Sequence, residues 1–181
     1  MDLIFLRHPR PAVARGVCYG RTDLEEGPSA SAEIAAGLRI TPRVARVVAS
    51  PAVRCRRLAE RLSARDGVPL VLDPRLWELD FGRWEGVAWA DIPRRESLPW
   101  AADPWNRAPP DGEPGHALHA RVAEALEALP EGTAIVAHAG PIRIARMVLA
   151  GESFAAAFAR PVPYATPLAI GRGRAEAGAV A

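Results

Sequence analysis

Short apolar segments alternate along this chain with longer amphipathic ones, and this alternation constrains the fold more than any other feature. The apolar segments, which have the length and composition of buried strands, are residues 3–6, 44–49, 69–72, 133–137 and 164–170. The segments with a helical pattern are residues 29–38, a stretch beginning at Ser50-Pro51, residues 116–129 and residues 140–150. Strands that alternate with helices predict an α/β fold, a three-layer α/β/α sandwich with a largely parallel central sheet.

Length and composition narrow the class of protein. The chain has 181 residues, of which 49% are hydrophobic and 24% charged, so we expect one globular domain over residues 1–181. Cys18 and Cys55 lack the spacing of a metal or redox site, and we predict no metal and no cofactor. The apolar run over residues 3–6 is too short to span a membrane, and Met1-Asp2 has no basic character, so we expect a cytoplasmic protein without a membrane partner.

The charge pattern favours a small anionic ligand. All 23 basic residues are arginine, and they are scattered among 21 acidic residues to give a net charge of +2. This distribution does not form the basic stripe of a nucleic-acid-binding protein, so no nucleic-acid partner is predicted. Nothing in the sequence fixes the oligomeric state.

Candidate functional residues follow three of the predicted strands. Arg7 and His8 follow the first, Ser50 and Arg54 the second, and His138 the strand that ends at residue 137. Ligands of open α/β sheets bind at the carboxyl ends of strands, where helix N-termini also point. We therefore expect these side chains to meet at one edge of the sheet.

These residue types suit phosphate chemistry. Arginine side chains bind phosphate oxygens in a bidentate manner, and an imidazole can attack phosphorus as a nucleophile. Phosphoryl transfer depends mostly on positioning and charge stabilisation, which fixed arginines can supply. Glu78 is the candidate proton donor for the leaving oxygen, because its neighbours Trp77, Leu79 and Phe81 create the apolar surroundings that favour a protonated carboxyl group.

Several motifs, in order along the chain, resemble the histidine phosphatase superfamily, the phosphoglycerate-mutase-like enzymes. The segments that carry the resemblance are Phe5-Leu6-Arg7-His8, Ser50-Pro51-Ala52-Val53-Arg54, residues 78–86 and His138-Ala139-Gly140. The resemblance implies that His8 is the phosphorylated nucleophile and Glu78 the general acid and base. It also implies that Arg7, Arg54 and His138 complete the phosphate pocket. We expect a protonated His138 and the two arginines to keep His8 neutral.

The segment from Cys18 to Asp23 resembles α-ribazole phosphatases of this superfamily, which act in cobalamin assembly. This resemblance implies that α-ribazole 5′-phosphate is the substrate, and that Gly20, Arg21 and Thr22 are among the residues that bind it. The same set includes Arg7, Arg54, His138 and Ala139. The chain departs from the usual pattern at Pro9, which removes a backbone donor after the nucleophile, and at Ala139, where the family has glycine.

Three alternatives remain open at this point. His116, His119 and Glu113 could bind a metal in a metal-dependent hydrolase. Pro9 could mark a non-catalytic phosphate-binding domain, and a mutase would protect its phosphoenzyme from water with a longer lid than residues 86–116 provide. Four tryptophans lie near this proline-rich segment, where they could pack it against the body or line a cover for an aromatic leaving group.

Overall fold

A mixed sheet with the strand order β3-β2-β4-β1-β5 forms the centre of the molecule in the computed structural model, which describes residues 2–171 and residue 173. The strands are β1 (Leu3–Arg7), β2 (Arg46–Ala49), β3 (Leu70–Leu72), β4 (Thr133–Ala137) and β5 (Pro167–Ile170). The first four are mutually parallel, and β5 runs antiparallel to β1. The largely parallel sheet predicted from the sequence is therefore confirmed.

Helices cover both faces of this sheet. They are α1 (Ala30–Ile40), α2 (Val53–Asp66), α3 (Arg94–Ala102), α4 (Gly115–Glu127), α5 (Ala139–Ala150) and α6 (Phe154–Ala159). Alternate strand residues point to opposite faces. Val136 packs in the core that contains Leu58 of α2, whereas Ile135 packs in the core that contains Leu118 of α4. The two cores on either side of the sheet establish the three-layer α/β/α arrangement.

Backbone hydrogen bonds extend the pairing with β4 one residue past the ends of β1 and β2. The His8 N–H donates to the Ala137 carbonyl and the Ser50 N–H donates to the Val136 carbonyl, both at 2.9 Å. Because neighbouring parallel strands end together here, the residues after β1, β2 and β4 lie at one edge of the sheet.

Some element boundaries differ from the sequence predictions. The helix after β2 begins at Val53 with Ala52 as its N-cap, because the Ser50 hydroxyl contacts His138 instead of capping the helix. Helix α6 was not predicted, although the Ser153 hydroxyl caps it by accepting the Ala156 N–H. Two 3₁₀ turns, Pro74–Leu76 and Gly82–Trp84, lie between β3 and α3. None of the helices in the described ranges has the length and apolarity that crossing a membrane requires.

Candidate active site

His8 lies at the end of β1 with its imidazole almost fully buried. Its Nδ1 is 2.7 Å from the Pro9 carbonyl oxygen, and since a carbonyl only accepts, Nδ1 carries the proton. In the neutral ring the lone pair is then on Nε2, the atom available to attack phosphorus. Burial is the main cause that lowers the pKa of His8 well below its usual value; the Arg54 and Arg7 charges lower it further, and the Pro9 carbonyl opposes them. Burial and the two arginines thus favour the neutral form of His8, and its role as the nucleophile remains a prediction.

Arg54 is held by neutral partners only. Its side chain is fully buried, and its two terminal nitrogens donate to the Gly20 carbonyl at 2.6 Å, the Thr22 carbonyl at 2.7 Å and His138 Nδ1 at 3.1 Å. No carboxylate pairs with it among the residues that the structure describes. A buried guanidinium without a countercharge creates a site that an anion would neutralise.

Arg7, the last residue of β1, is positioned in the same way. Its guanidinium donates to the Val162 carbonyl and to the Tyr164 hydroxyl, both at 3.0 Å, and lies 3.8 Å from the centroid of the Tyr164 ring. Within the described ranges Arg7, too, has no acidic partner. Two uncompensated guanidinium groups thus face the region around His8.

His138, the N-cap of α5, is neutral, so the prediction that it is protonated is wrong. Arginine only donates, so the contact from Arg54 requires an unprotonated Nδ1, and Nε2 donates to the Ser50 hydroxyl at 2.8 Å. Burial is the main cause that lowers the pKa of His138 well below its usual value, and His8, Arg54, Arg7 and Arg121 act in the same direction. The permanent positive charge of this cluster comes from its two arginines.

The ring centroids of His8 and His138 are 5.1 Å apart, with the rings edge to face. Trp77 stacks on His138 with a centroid distance of 6.2 Å and an angle of 9° between the ring planes. The four residues predicted to surround the phosphate therefore lie together. We refer to Arg7, His8, Arg54 and His138 as the phosphate cluster.

Glu78 is fixed at the N terminus of α5, close to the helix start that follows His138. Both of its carboxylate oxygens lie 3.1 Å from the Gly140 N–H, and Oε1 also accepts the Leu79 N–H at 3.0 Å. A Cβ atom at Gly140 would lie 2.1 Å from Oε1, so this position has room for Glu78 only because residue 140 is glycine. Arg121 holds the backbone from the other side by donating to the Glu78 carbonyl at 2.9 Å.

The segment from Gly20 to Thr22 lies beside the phosphate cluster, but its polar groups contact protein. The Gly20 carbonyl binds Arg54, and a Cβ at this residue would lie 1.9 Å from the Leu79 carbonyl oxygen. The N–H groups of Arg21 and Thr22 and the Thr22 hydroxyl all donate to Glu85. The segment therefore supports Arg54 directly.

The Arg21 guanidinium contacts two acidic side chains, at 3.7 Å from Asp80 and 3.5 Å from Glu113. The substrate-binding roles of Arg21 and Thr22 remain predictions.

The two departures from the family pattern have clear places in the structure. Pro9 lacks an N–H, but its carbonyl sets the tautomer of His8. Ala139 is the first residue of α5, half-buried and packed against the core on the α4 face of the sheet. Its predicted contact with substrate remains a prediction.

Sequence reasoning missed three residues at this site. Tyr164 was assigned to a strand, yet its hydroxyl contacts Arg7 and also lies 3.2 Å from the Tyr19 hydroxyl. Ser50 was placed at this end of the sheet without a role, although its hydroxyl contacts His138, and Trp77 was interpreted only as an apolar neighbour of Glu78. Nothing local in the sequence marks Tyr164, because it reaches Arg7 from the far end of the chain.

The metal-hydrolase alternative gains no support from the geometry. No group of three or more His, Cys, Asp or Glu residues in the described part of the chain could hold a metal ion. Glu113 is bound by Arg121, and His119 packs against Trp105 with their rings 5.4 Å apart.

Comparisons with known proteins agree with this geometry. The model of the histidine phosphatase superfamily (branch 1) matches residues 3–176. A phosphoglycerate mutase from Thermus thermophilus is 29% identical, with 93% of this chain and 92% of that chain covered and a TM-score of 0.74. The α-ribazole phosphatase from Shigella flexneri shares the fold at 20% identity, with coverages of 93% and 89% and a TM-score of 0.84. No curated protein sequence matches.

A mycobacterial glucosyl-3-phosphoglycerate phosphatase also shares the fold, at 24% identity, with 85% of this chain and 81% of that chain covered and a TM-score of 0.70. The structural neighbours thus differ in the phosphate esters that their names specify. What they have in common with this chain is the fold, and the family match extends over nearly all of the sequence. The chain belongs to the histidine phosphatase superfamily.

Proposed function

We propose that this chain is a metal-independent phosphomonoester hydrolase, acting as one domain through a phosphohistidine at His8. The observation that carries the proposal is the pairing of a neutral, buried His8 with two guanidinium groups to which the described residues offer no countercharge. A phosphate monoester supplies the missing negative charge, and its phosphorus is then held next to the nucleophile.

The reaction has two half-reactions. His8 Nε2 attacks phosphorus as the bond to the alcohol oxygen breaks, and the protonated Glu78 carboxyl group transfers its proton to that oxygen. Water then attacks the phosphohistidine while the Glu78 carboxylate accepts a proton, and the N–P bond breaks to release inorganic phosphate. Arg7 and Arg54 stabilise the charge on the phosphoryl oxygens in both steps. His138 positions Arg54 through its Nδ1 atom.

The proposed substrate is α-ribazole 5′-phosphate or another small phosphate ester. The resemblance of residues 18–23 to α-ribazole phosphatases supports this choice. A site that hydrogen-bonds its substrate discriminates against analogues that lack the partners, so kcat/KM for α-ribazole phosphate should exceed that for simple sugar phosphates about tenfold or more.

A panel of phosphate monoesters, assayed for phosphate release with and without EDTA, tests the proposal. We expect release that is unaffected by EDTA and abolished in His8→Ala. Loss of activity with chelator and its recovery with one divalent metal would contradict the assignment. Turnover of α-ribazole phosphate, fructose phosphates and 3-phosphoglycerate within a factor of about two would remove the substrate preference and leave the phosphatase assignment intact.

Mutase activity is the second candidate, favoured by the 29% identity to a phosphoglycerate mutase. Incubation with labelled 3-phosphoglycerate separates the two activities. A hydrolase releases labelled inorganic phosphate, whereas a mutase transfers the label to 2-phosphoglycerate.

A further inference from the structure

A cavity of about 370 Å³ opens beside Glu78 on the side of the sheet covered by α4 and α5. Its volume falls within the range of about 300–1,000 Å³ that is usual for small-molecule sites. Most of its lining is apolar, and Glu78 and Arg143 supply its charged side chains. The cavity and the phosphate cluster are therefore connected through Glu78.

Aromatic side chains form two walls of this cavity. One wall contains Phe81 and Trp100, whose ring centroids are 5.9 Å apart. The other contains Phe154 and Phe158 of α6, which stack with ring centroids 4.1 Å apart and an angle of 23° between the ring planes. Leu118 of α4 also contributes to the lining. Aromatic walls favour a flat aromatic ligand, which gains both from burial of apolar surface and from ring packing.

Arg143 is the unusual polar group of the lining. It lies one turn after Gly140 in α5, is half-buried, and makes neither a hydrogen bond nor an ion pair with any described residue. Its Nε atom is buried without a partner, and its guanidinium lies 5.3 Å from the centroid of the Phe158 ring.

Burial lowers the pKa of Arg143, and the Glu78 carboxylate acts in the opposite direction. Arginine retains its charge in such surroundings and offers only donors. A ligand in the cavity would therefore need an acceptor to satisfy it.

We propose that this cavity binds the alcohol portion of the phosphate ester, and that it selects alcohols with a flat aromatic group bearing a hydrogen-bond acceptor for Arg143. This inference rests on the proposed function, because Glu78 is both the group that protonates the alcohol oxygen and part of the cavity lining. The alcohol thus extends from the phosphate cluster past Glu78 into the aromatic cavity.

The cavity also offers a better place for an aromatic base than the segment from Cys18 to Asp23. The polar groups of that segment contact Glu85, Arg54 and Val53 of the protein itself. The α-ribazole base is an aromatic bicycle with an acceptor nitrogen, so α-ribazole 5′-phosphate belongs to the proposed class.

Benzimidazole and indole test the inference as a matched pair, since they share size and shape but only benzimidazole has an acceptor nitrogen. Calorimetric titration of the full chain should show benzimidazole binding about tenfold more tightly than indole, the difference expected when a charged donor gains an acceptor. Arg143→Met should reduce benzimidazole binding to the level of indole without changing indole binding. Arg146→Met, on the same helix but paired with Glu152, is the control and should change neither.

A second titration, in saturating inorganic phosphate, requires no variant. If the alcohol and phosphate sites are separate, benzimidazole should bind in the presence of phosphate as tightly as in its absence. Mutual exclusion would place benzimidazole in the phosphate cluster and overturn the inference, as would equal binding of benzimidazole and indole.

Different results would show that the inference about the cavity is wrong or that the proposed function is wrong. If esters are hydrolysed but neither bicycle binds, the inference falls and the phosphatase assignment stands. If benzimidazole binds as described but no ester releases phosphate, the cavity chemistry stands and the assignment falls.

Discussion

The phosphate cluster and the aromatic cavity lie next to each other and are built in opposite ways. The cluster consists of residues at the ends of β1 and β4 and of Arg54 in the first turn of α2, held by hydrogen bonds to backbone carbonyls and hydroxyls. The cavity is formed by loop residues and by residues of α3, α4, α5 and α6, held by packing of side chains. Glu78 lies between them, since it lines the cavity and accepts the N–H of Gly140, two residues after His138 of the cluster.

Under the proposed function, this difference in construction assigns the reaction to the cluster and the choice of substrate alcohol to the cavity. Hydrogen bonds with defined donors and acceptors hold each group of the cluster, so under the proposed function a change there should alter the reaction of every substrate. The cavity walls provide shape and one donor, so a change there alters which alcohol is accepted. Substitutions can test this separation.

Loss of Arg54 should have the largest effect. Arg54→Ala removes one of the two uncompensated charges and leaves the Gly20 and Thr22 carbonyls without their donor, so kcat/KM should fall about 100-fold or more on every ester. Initial rates on one alkyl and one aryl ester measure it. The control is Arg57→Ala in the same helix, whose exposed guanidinium pairs with Glu26, and it should retain activity. A loss confined to one ester would contradict a shared role in charge stabilisation.

The effect of replacing Glu78 on the rate of hydrolysis should depend on the leaving group. Glu78→Gln removes the proton donor, so hydrolysis of an alkyl phosphate should fall about 100-fold or more. Hydrolysis of p-nitrophenyl phosphate should fall much less, because nitrophenolate leaves without a proton. Burst amplitudes must accompany the rates, since slow water attack in the second step would hide the contrast. Equal losses would mean that Glu78 only shapes the site.

A smaller effect of the same kind is expected when Glu78 is displaced. Gly140→Ala places a Cβ against Glu78 Oε1, so activity on an alkyl phosphate should fall about tenfold while activity on p-nitrophenyl phosphate changes little. Gly173→Ala, whose added Cβ would meet no atom closer than 3.6 Å, serves as the control and should leave both activities unchanged. Unchanged alkyl phosphate hydrolysis in Gly140→Ala would show that the position of Glu78 is not critical.

The smallest expected effect is on the pH dependence of the free energy of unfolding. Burial lowers the pKa of His8 and of His138 in the folded chain, so below pH 6.5 the unfolded chain binds more protons than the folded one. The free energy of unfolding should therefore decrease as pH falls from 6.5 to 5.5, by up to about 1.4 kcal/mol per pH unit for each histidine. Urea unfolding measures the slope, and His138→Gln should reduce it. A slope that His138→Gln leaves unaltered would contradict a neutral buried His138.

The sequence predicted the cluster because its members follow strand ends directly, so local order and topology together place Arg7, His8 and His138. It missed Tyr164 because the contact of this residue with Arg7 brings together residues that lie far apart in sequence. The protonation of His138 was predicted incorrectly, since it depends on the donor from Arg54, which only the folded geometry reveals. For the cavity, the sequence indicated only that tryptophans near residues 86–116 could cover an aromatic leaving group. Trp100 of that segment does line the cavity, but the wall formed by Phe154 and Phe158 comes from a segment far away in sequence and was missed.

The central claim is that His8 carries the phosphoryl group, and trapping that intermediate tests it most directly. The chain is mixed briefly with ³²P-labelled α-ribazole phosphate or another ester that it hydrolyses, denatured in alkali, digested and analysed by mass spectrometry. We expect one acid-labile, base-stable label on the peptide that contains His8, and none in His8→Ala. Label on a serine, cysteine or aspartate, or on His138, would contradict the account.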